Sequence, residues 1–433
     1  MSKVIDINVH HVTRVEGHGN IAVKASDGTI EKVEWQVPEA PRFFEAMVRG
    51  RSFEDIQSIV SRICGICSVS HSLAAIKAIE DAMNVQVSEQ SDKVRLLMHY
   101  SEQMQSHILH VGYLVAPDLL GQKSVVPLVA SHPDVVKNII ALHRIANQWT
   151  EDIAGRITHP ITIKPGGFSK FPSENKLREL KAELEGAVPR LKSLAEVVLS
   201  LADKLPGFIR ETEYISLVDS VGPYAFYHGN IGSTDFKDVI PVQKFEDVVN
   251  EYVSSQSTAK WAKWHRESYA VGALARFNLN YDKLLPLAKS VADSFGLKPG
   301  IFNPYLNNVA QVIECVQVVE HSLQLIDELL TSGIKPEKLN VEPREGNGVG
   351  CVEAPRGILF HRYELDKKGN CVKANMVIPT NQNHANIQKD FESLVPQIID
   401  RDPKEIELLL EMLVRSYDPC ISCSTHYLDV KFV

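Results

Sequence analysis

Four of the seven cysteines in the 433-residue chain form two C-x-x-C pairs, Cys64 with Cys67 and Cys420 with Cys423. The first pair lies in Arg62-Ile63-Cys64-Gly65-Ile66-Cys67-Ser68-Val69-Ser70-His71. The second lies in Asp418-Pro419-Cys420-Ile421-Ser422-Cys423-Ser424-Thr425-His426. Three-residue spacing puts both sulfurs of a pair on one side of a turn, where they can grip one metal. Each pair precedes a histidine by three or four residues, which keeps an imidazole near the sulfurs. Thiolates are soft ligands and favour zinc, copper(I), nickel and iron–sulfur centres. A single pair would suit a thioredoxin-like redox couple or half a zinc site equally well. Two pairs at opposite ends of a long chain point to a metal centre closed by the fold. A structural zinc site with four thiolates competes, although small zinc modules usually keep their pairs close in sequence.

The remaining thiols, Cys315, Cys351 and Cys371, stand alone and read as ordinary buried or half-buried cysteines. A sparse, odd cysteine count argues against a disulfide framework. His107 and His110 share a helix face at i, i+3 and read as packing residues rather than a second metal site.

The elements that must carry these groups follow from periodicity. Between Ile5 and Val37 the segments INVHHV, NIAVKA and TIEKVEWQV alternate as strands, with Ser26-Asp27-Gly28 as a turn. Helical spacing then takes over near Phe53–Arg62, Ser68–Met83, Ser91–Leu114, Val135–Ile157 and Glu174–Leu205. Residues 206–241 are richer in Gly, Pro and aromatics and read as loops with short strands. A long helix is expected at about Tyr305–Thr331, then strand-like ILFHRYEL and CVKANMVI around a turn at Asp366–Gly369. A final helix runs from Pro403 to Tyr417, with Asp402 as N-cap and Pro at its first position. The expected fold is α+β and mainly helical, a central long-helix bundle with small sheets at its side. It is taken as one domain spanning 1–433, β-rich over 1–40.

Bulk composition sets the remaining bounds. With 44% hydrophobic and 23% charged residues the chain is globular and long enough for a large core. A net charge of −8 with interspersed signs excludes nucleic acid and anionic membrane surfaces as obvious partners. No apolar run reaches a bilayer span; the best, Leu194–Leu205, is cut by Glu196, Ser200, Asp203 and Lys204. The N-terminus MSKVIDINVHHVTRVEG lacks the apolar core of a secretory signal, so a cytoplasmic location is expected.

Thr13-Arg14-Val15-Glu16-Gly17-His18-Gly19, the RICGICSVSH run, Glu353-Ala354-Pro355-Arg356-Gly357 and the terminal DPCISCSTH together resemble the signatures of the nickel–iron hydrogenase large subunit. They occur in that family's order from residue 13 to residue 426. The related large subunit of respiratory complex I has lost the four cysteines that this chain keeps.

The resemblance implies roles residue by residue. All four cysteines would bind nickel, Cys67 and Cys423 bridging to an iron that carries CO and cyanide, Cys64 and Cys420 remaining terminal. Glu16 would be the first carboxylate of the proton path, and Arg356 a base or electrostatic partner over the open side of the metals. Thr380, in Val377-Ile378-Pro379-Thr380, would hydrogen-bond a cyanide, and His71 a cysteine sulfur. Asp118 and Asp418 would line the surroundings of Arg356. Glu45, in Phe44-Glu45-Ala46-Met47-Val48-Arg49-Gly50, and His426 would hold a structural Mg2+ with the Met376 carbonyl.

The chemistry is consistent with these roles. H2 is a very weak acid, so splitting it takes a Lewis-acidic metal and a nearby base. Glu16 then needs a pKa near working pH, which partial burial can provide. Arg356 is permanently charged with fixed donors, suited to anionic cyanide. A carboxylate and a carbonyl suit Mg2+, a hard cation, and the imidazole rests on the resemblance. Outside the motifs Glu16 would read as an exposed strand residue, Arg356 as a strand cap or partner of Glu353, and Glu45 as a solvated helix face.

With only three scattered cysteines left beside the two pairs, too few for the four-cysteine set of an iron–sulfur cluster, electrons should pass to a small subunit that carries clusters. The chain looks most like the cytoplasmic, multisubunit group coupling H2 to NAD(P) or another soluble carrier, which adds diaphorase-type subunits, a maturation protease and metal-insertion proteins as partners. No G-x-G-x-x-G follows a strand, so nicotinamide would bind elsewhere in the complex. Residues 427–433 would be the extension that the protease removes after His426. An H2-sensing regulator and a non-catalytic, complex I-like electron-transfer scaffold are the rival readings.

Overall fold

The computed structural model describes residues 4–425. His426 and the expected extension at 427–433 lie outside the described residues. Strands β1 (Val4–Val9), β2 (Asn20–Ser26) and β3 (Thr29–Gln36) form an antiparallel sheet in that order. Asp27 and Gly28 both take positive φ, 49° and 78°, as an Asp-Gly hairpin turn requires. Alternate residues of β1 are buried, so one face lies on the core.

The helices that follow are α1 (Phe44–Val48), α2 (Phe53–Val60), α3 (Ser68–Met83), α4 (Glu89–Leu109), α5 (Pro133–Ala154) and α6 (Glu174–Ser200). Further on come α7 (Ala273–Asn280), α8 (Asn307–Ser332), α9 (Pro379–Ile398) and α10 (Pro403–Ser416). The central bundle is α4, α5, α6 and α8: α4 packs on α5 and α8, and α6 on the same two. α6 buries Leu177, Leu180, Leu184, Leu191 and Leu194 along one stripe, as an outer helix should. Inner α4 is buried nearly all round, including Arg95, His99, Glu102, Gln103 and His107. Those polar groups must find partners inside the protein. No helix among the described residues is long and apolar enough to cross a membrane.

Three departures from the sequence pattern matter for the site. The helix expected to run to Leu114 ends as α-helix at Leu109 and widens into a π-helical turn, His110–Val115. After a small sheet of β4 (Glu213–Val218), β5 (Asn230–Ser233) and β6 (Tyr269–Ala270), Gly346–Ala354 is a strand, β7, which with β8 (Gly357–Leu365) and β9 (Cys371–Val377) makes a sheet. α9 was not expected at all, because PTNQNHANIQ offers little apolar period.

The glycines of β7 explain how α3 is seated. A Cβ at Gly346, Gly348 or Gly350 would lie 1.9, 2.2 or 1.9 Å from the carbonyl oxygens of Ala82, Ala78 and Ala74. Two residues of strand rise about 6.8 Å and four of helix about 6.0 Å, so the two small-residue rows stay nearly in step. Helix and strand therefore meet backbone to backbone. Gly350→Ala is expected to destabilise the protein by about 3 kcal/mol, because backbone rather than a flexible side chain must yield. Gly186 in α6 has nothing within 4 Å of its would-be Cβ. Gly186→Ala should instead gain about 0.5–1 kcal/mol from helix propensity. Thermal melts of both variants check the opposite signs.

Candidate metal centre

Each cysteine pair sits where a helix meets an irregular turn. α2 ends in a short 3-10 turn, Ser61–Ile63, which delivers Cys64, and Cys67 caps the start of α3. At the other end α10 stops at Ser416 and Asp418 takes a left-handed φ of 48°, swinging the chain into a one-turn helix, Ile421–Ser424. The four sulfurs lie within 4.8 Å of one another, all buried. Cys64 Sγ is 3.5 Å from Cys420 Sγ, and Cys67 Sγ is 3.8 Å from Cys423 Sγ. Tetrahedral metal–thiolate bonds of about 2.3 Å put sulfurs roughly 3.8 Å apart, so the set fits a shared metal. Cys420 and Cys423 are closed as a disulfide, which the sequence reading did not include; ligation by all four requires that pair reduced.

The surroundings favour thiolate at Cys64. The Cys67 thiol donates to its sulfur and, with the charge of Arg356, holds Cys64 below the usual thiol range despite burial. Cys67 is pushed well up by giving that bond and by burial. The backbone N–H groups of Ile66 and Cys67 also donate to Cys64 Sγ, at 3.2 and 3.3 Å. Cys315, Cys351 and Cys371 are buried free thiols, as expected, and burial raises each of them, Cys371 to about 11.

Glu16 is half-buried and bound to the second pair by its backbone and its side chain. Its carbonyl accepts the Ile421 N–H at 3.0 Å, and Oε2 accepts the Ser422 N–H at 3.1 Å. Arg356 is buried; its Nε donates to the Asp418 carbonyl at 2.6 Å and Nη2 to Asp418 Oδ1 at 3.0 Å. It does not pair with Glu353, whose carboxylate binds Arg276. Nη1 of Arg356 is buried without a hydrogen-bond partner among the described residues, which leaves its two N–H groups free on a guanidinium that feels the charge of Cys67 and Cys64. Thr380 Oγ1 accepts the Cys420 N–H at 3.0 Å, which leaves its O–H hydrogen to donate.

Asp118 bonds to Arg14 and Arg415 rather than to Arg356, with Oδ1 2.5 Å from Arg14 Nη2 and Oδ2 2.7 Å from Arg415 Nε. Both its oxygens are taken by these two arginines, so it ties the Glu16 segment to α10 instead. His71 places Nδ1 3.1 Å from Nε2 of His361, whose Nδ1 is 2.7 Å from the Tyr363 hydroxyl. His107 and His110 are packed as expected: His107 Nε2 is 2.8 Å from Glu314, and His110 is held by Gln311 and the Arg415 carbonyl.

Glu45 is 1% exposed, which removes the solvated-face reading. Its helix α1 packs on β9, which carries the fully buried Met376. The Arg42 N–H donates to the Thr425 carbonyl at 2.6 Å, so the chain leading to His426 passes beside the start of α1.

Three residues that hold the site escaped the sequence reading. Buried Glu102 accepts the N–H groups of Val69 and Ser70 at 2.6 and 2.8 Å, along with the Ser70 hydroxyl. It thereby caps α3 just after Cys67. Burial pushes this carboxyl up to about 8 against those bonds. On α9, Asn381 donates to the Ser424 carbonyl at 2.8 Å, and His384 Nε2 is 2.9 Å from the Ser424 hydroxyl. Only their place next to Thr380 hinted at it.

A helical bundle that closes two remote C-x-x-C turns over a buried, arginine-capped sulfur cluster defines a metal-holding protein. The family model described as nickel-dependent hydrogenase matches residues 42–171 and 213–426, and a HoxL-like model matches 6–40. The chain belongs to the nickel-dependent hydrogenase family, as its catalytic large subunit, which interconverts H2 with protons and electrons at a nickel–iron centre. It is 33% identical to the alpha chain of sulfhydrogenase 1 of Pyrococcus furiosus over 98% of both chains. It is 36% identical to a chain of the F420-non-reducing hydrogenase vhu of Methanococcus voltae, over 89% of this chain and 97% of that one. Among solved structures, an NAD+-reducing [NiFe]-hydrogenase in the H2-reduced state superposes with a TM-score of 0.87 at 26% identity, covering 97% and 99% of the two chains.

Proposed function

We propose that Cys64, Cys67, Cys420 and Cys423 would together hold the nickel–iron centre, Cys64 and Cys420 serving nickel alone and Cys67 and Cys423 shared with an iron carrying CO and cyanide, and that Glu16 is the first proton carrier. When bound, the nickel–iron centre supplies the Lewis acidity that polarises H2. A terminal thiolate sulfur takes the proton, and Glu16 receives it. The observation that carries this is the pairing of Glu16 with the Cys420–Cys423 turn, which fixes the carboxylate beside the sulfurs without using up both its oxygens. Arg356 holds positive charge over the thiolates and offers Nη1 to an anionic ligand. Thr380 offers its hydroxyl to a cyanide. Glu45, the Met376 carbonyl and His426 would hold Mg2+, a hard cation suited to oxygen donors.

Electrons leave through a small subunit carrying iron–sulfur clusters and reach NAD(P) or another soluble carrier through diaphorase-type subunits, in the cytoplasm. The likeness to an NAD+-reducing enzyme supports this carrier. A maturation protease and metal-insertion proteins complete the partner set. The test is infrared spectroscopy of the purified complex with metal analysis. Bands from bound CO and cyanide, with nickel and iron at about one each per chain, are expected for this site. Zinc alone, with no such bands, would overturn the assignment.

A further inference from the structure

Arg276, on α7, is fully buried and takes no part in the site described so far. Its guanidinium makes five hydrogen bonds, one for each N–H it possesses. Nε and Nη2 donate to the two oxygens of Glu314 at 2.7 and 2.6 Å. Nη1 donates to Glu353 Oε2 at 2.9 Å and to the Ala354 carbonyl at 3.0 Å, and Nη2 also to the Pro355 carbonyl at 3.1 Å. Ala354 and Pro355 are the two residues immediately before Arg356.

The anchor is itself fixed. Glu314 is also held by the Tyr224 hydroxyl at 2.9 Å and by His107 Nε2 at 2.8 Å. Burial would raise this carboxyl, but the charge and bonds of Arg276, with His107, pull it down to about 2. Glu353 Oε1 accepts the Leu217 N–H at 2.7 Å, and its carbonyl accepts from Gln103 at 2.6 Å. α7 begins against the same turn: a Cβ at Gly272, whose φ is +121°, would lie 3.3 Å from the Arg356 carbonyl oxygen.

We propose that Arg276 is a positioning residue for H2 turnover, setting where the Arg356 guanidinium stands over the four sulfurs by clamping the two preceding carbonyls to Glu314 and Glu353. This rests on the reading that Arg356 serves the site. Lysine keeps the charge but has three donors on one atom, so it cannot span two carboxylates and two carbonyls together.

The experiment is a double-mutant cycle on the assembled enzyme with Arg276→Lys and Arg356→Lys, reading kcat, KM for H2 and nickel content. Arg276→Lys is expected to lower kcat roughly 10- to 100-fold at unchanged nickel content, as misplacement of a catalytic group does. The double variant should turn over no more slowly than Arg356→Lys alone, since the clamp then has nothing left to position. Arg95, equally buried and paired with Glu80, is the control, and Arg95→Lys should multiply with Arg356→Lys. Should Arg276→Lys not accumulate as folded protein, Gln103→Leu, which frees the same turn at Glu353, enters the cycle in its place. Wild-type kcat in the clamp variant, or losses that multiply with Arg356→Lys, would overturn the proposal. Arg356→Lys at the wild-type rate would instead remove Arg356 from the site.

Discussion

Cys420→Ser is expected to lower H2 turnover by roughly a thousandfold or more and to release nickel from the purified protein. Serine keeps the shape of the side chain but replaces a soft, readily ionised sulfur by a hard hydroxyl that stays protonated at neutral pH. The turn itself should survive, because the Cys420 N–H to Thr380 bond and the Ile421 N–H to Glu16 bond are made by backbone. The chain should therefore fold with near-normal secondary structure and empty of nickel, which circular dichroism and metal analysis separate. A Cys315→Ser variant supplies the contrast: that thiol is buried far up its titration range and binds nothing in the site. It should keep nickel, losing only stability from a hydroxyl in apolar surroundings. Full nickel occupancy in Cys420→Ser would refute the four-sulfur clasp.

Glu16→Gln separates proton movement from metal binding. The amide is the same size and can still accept the Ser422 N–H through its carbonyl oxygen, so the bridge to the Cys420 turn remains. What disappears is a group that takes and returns a proton. Turnover of H2 with an artificial acceptor is expected to drop by about 10²–10⁴-fold, the range for loss of a general acid–base. Nickel, iron and the infrared bands should stay as in the parent enzyme. Unchanged turnover would remove Glu16 from the path.

The sequence made the site legible where chemistry is carried by residue type and spacing. The two C-x-x-C pairs, the long helices and the N-terminal strands follow from patterns that local physics imposes. What stayed hidden was held by partners far apart in sequence. α9 has Asn381, Gln382, Asn383, His384, Asn386 and Gln388 on all sides, a composition that suggests a loop until their partners are seen. Each is buried and hydrogen-bonded: His384 and Gln388 to Trp35, Asn386 to Arg210, Thr212 and Tyr417, and Asn381 to Ser424. That helix is a set of polar bolts rather than an amphipathic stripe. Asp118 illustrates the converse. Its type suited the neighbourhood of Arg356, yet two other arginines, Arg14 and Arg415, reach it first.

The distance along the chain between the two sulfur pairs has a bearing on biosynthesis. Cys420 follows Cys64 by 356 positions, so the earlier pair leaves the ribosome long before its counterpart exists. A nascent polypeptide that has made only the first pair offers two of the four sulfurs. The full set of ligands waits for translation of the later turn, and a prematurely terminated product would carry half a claw.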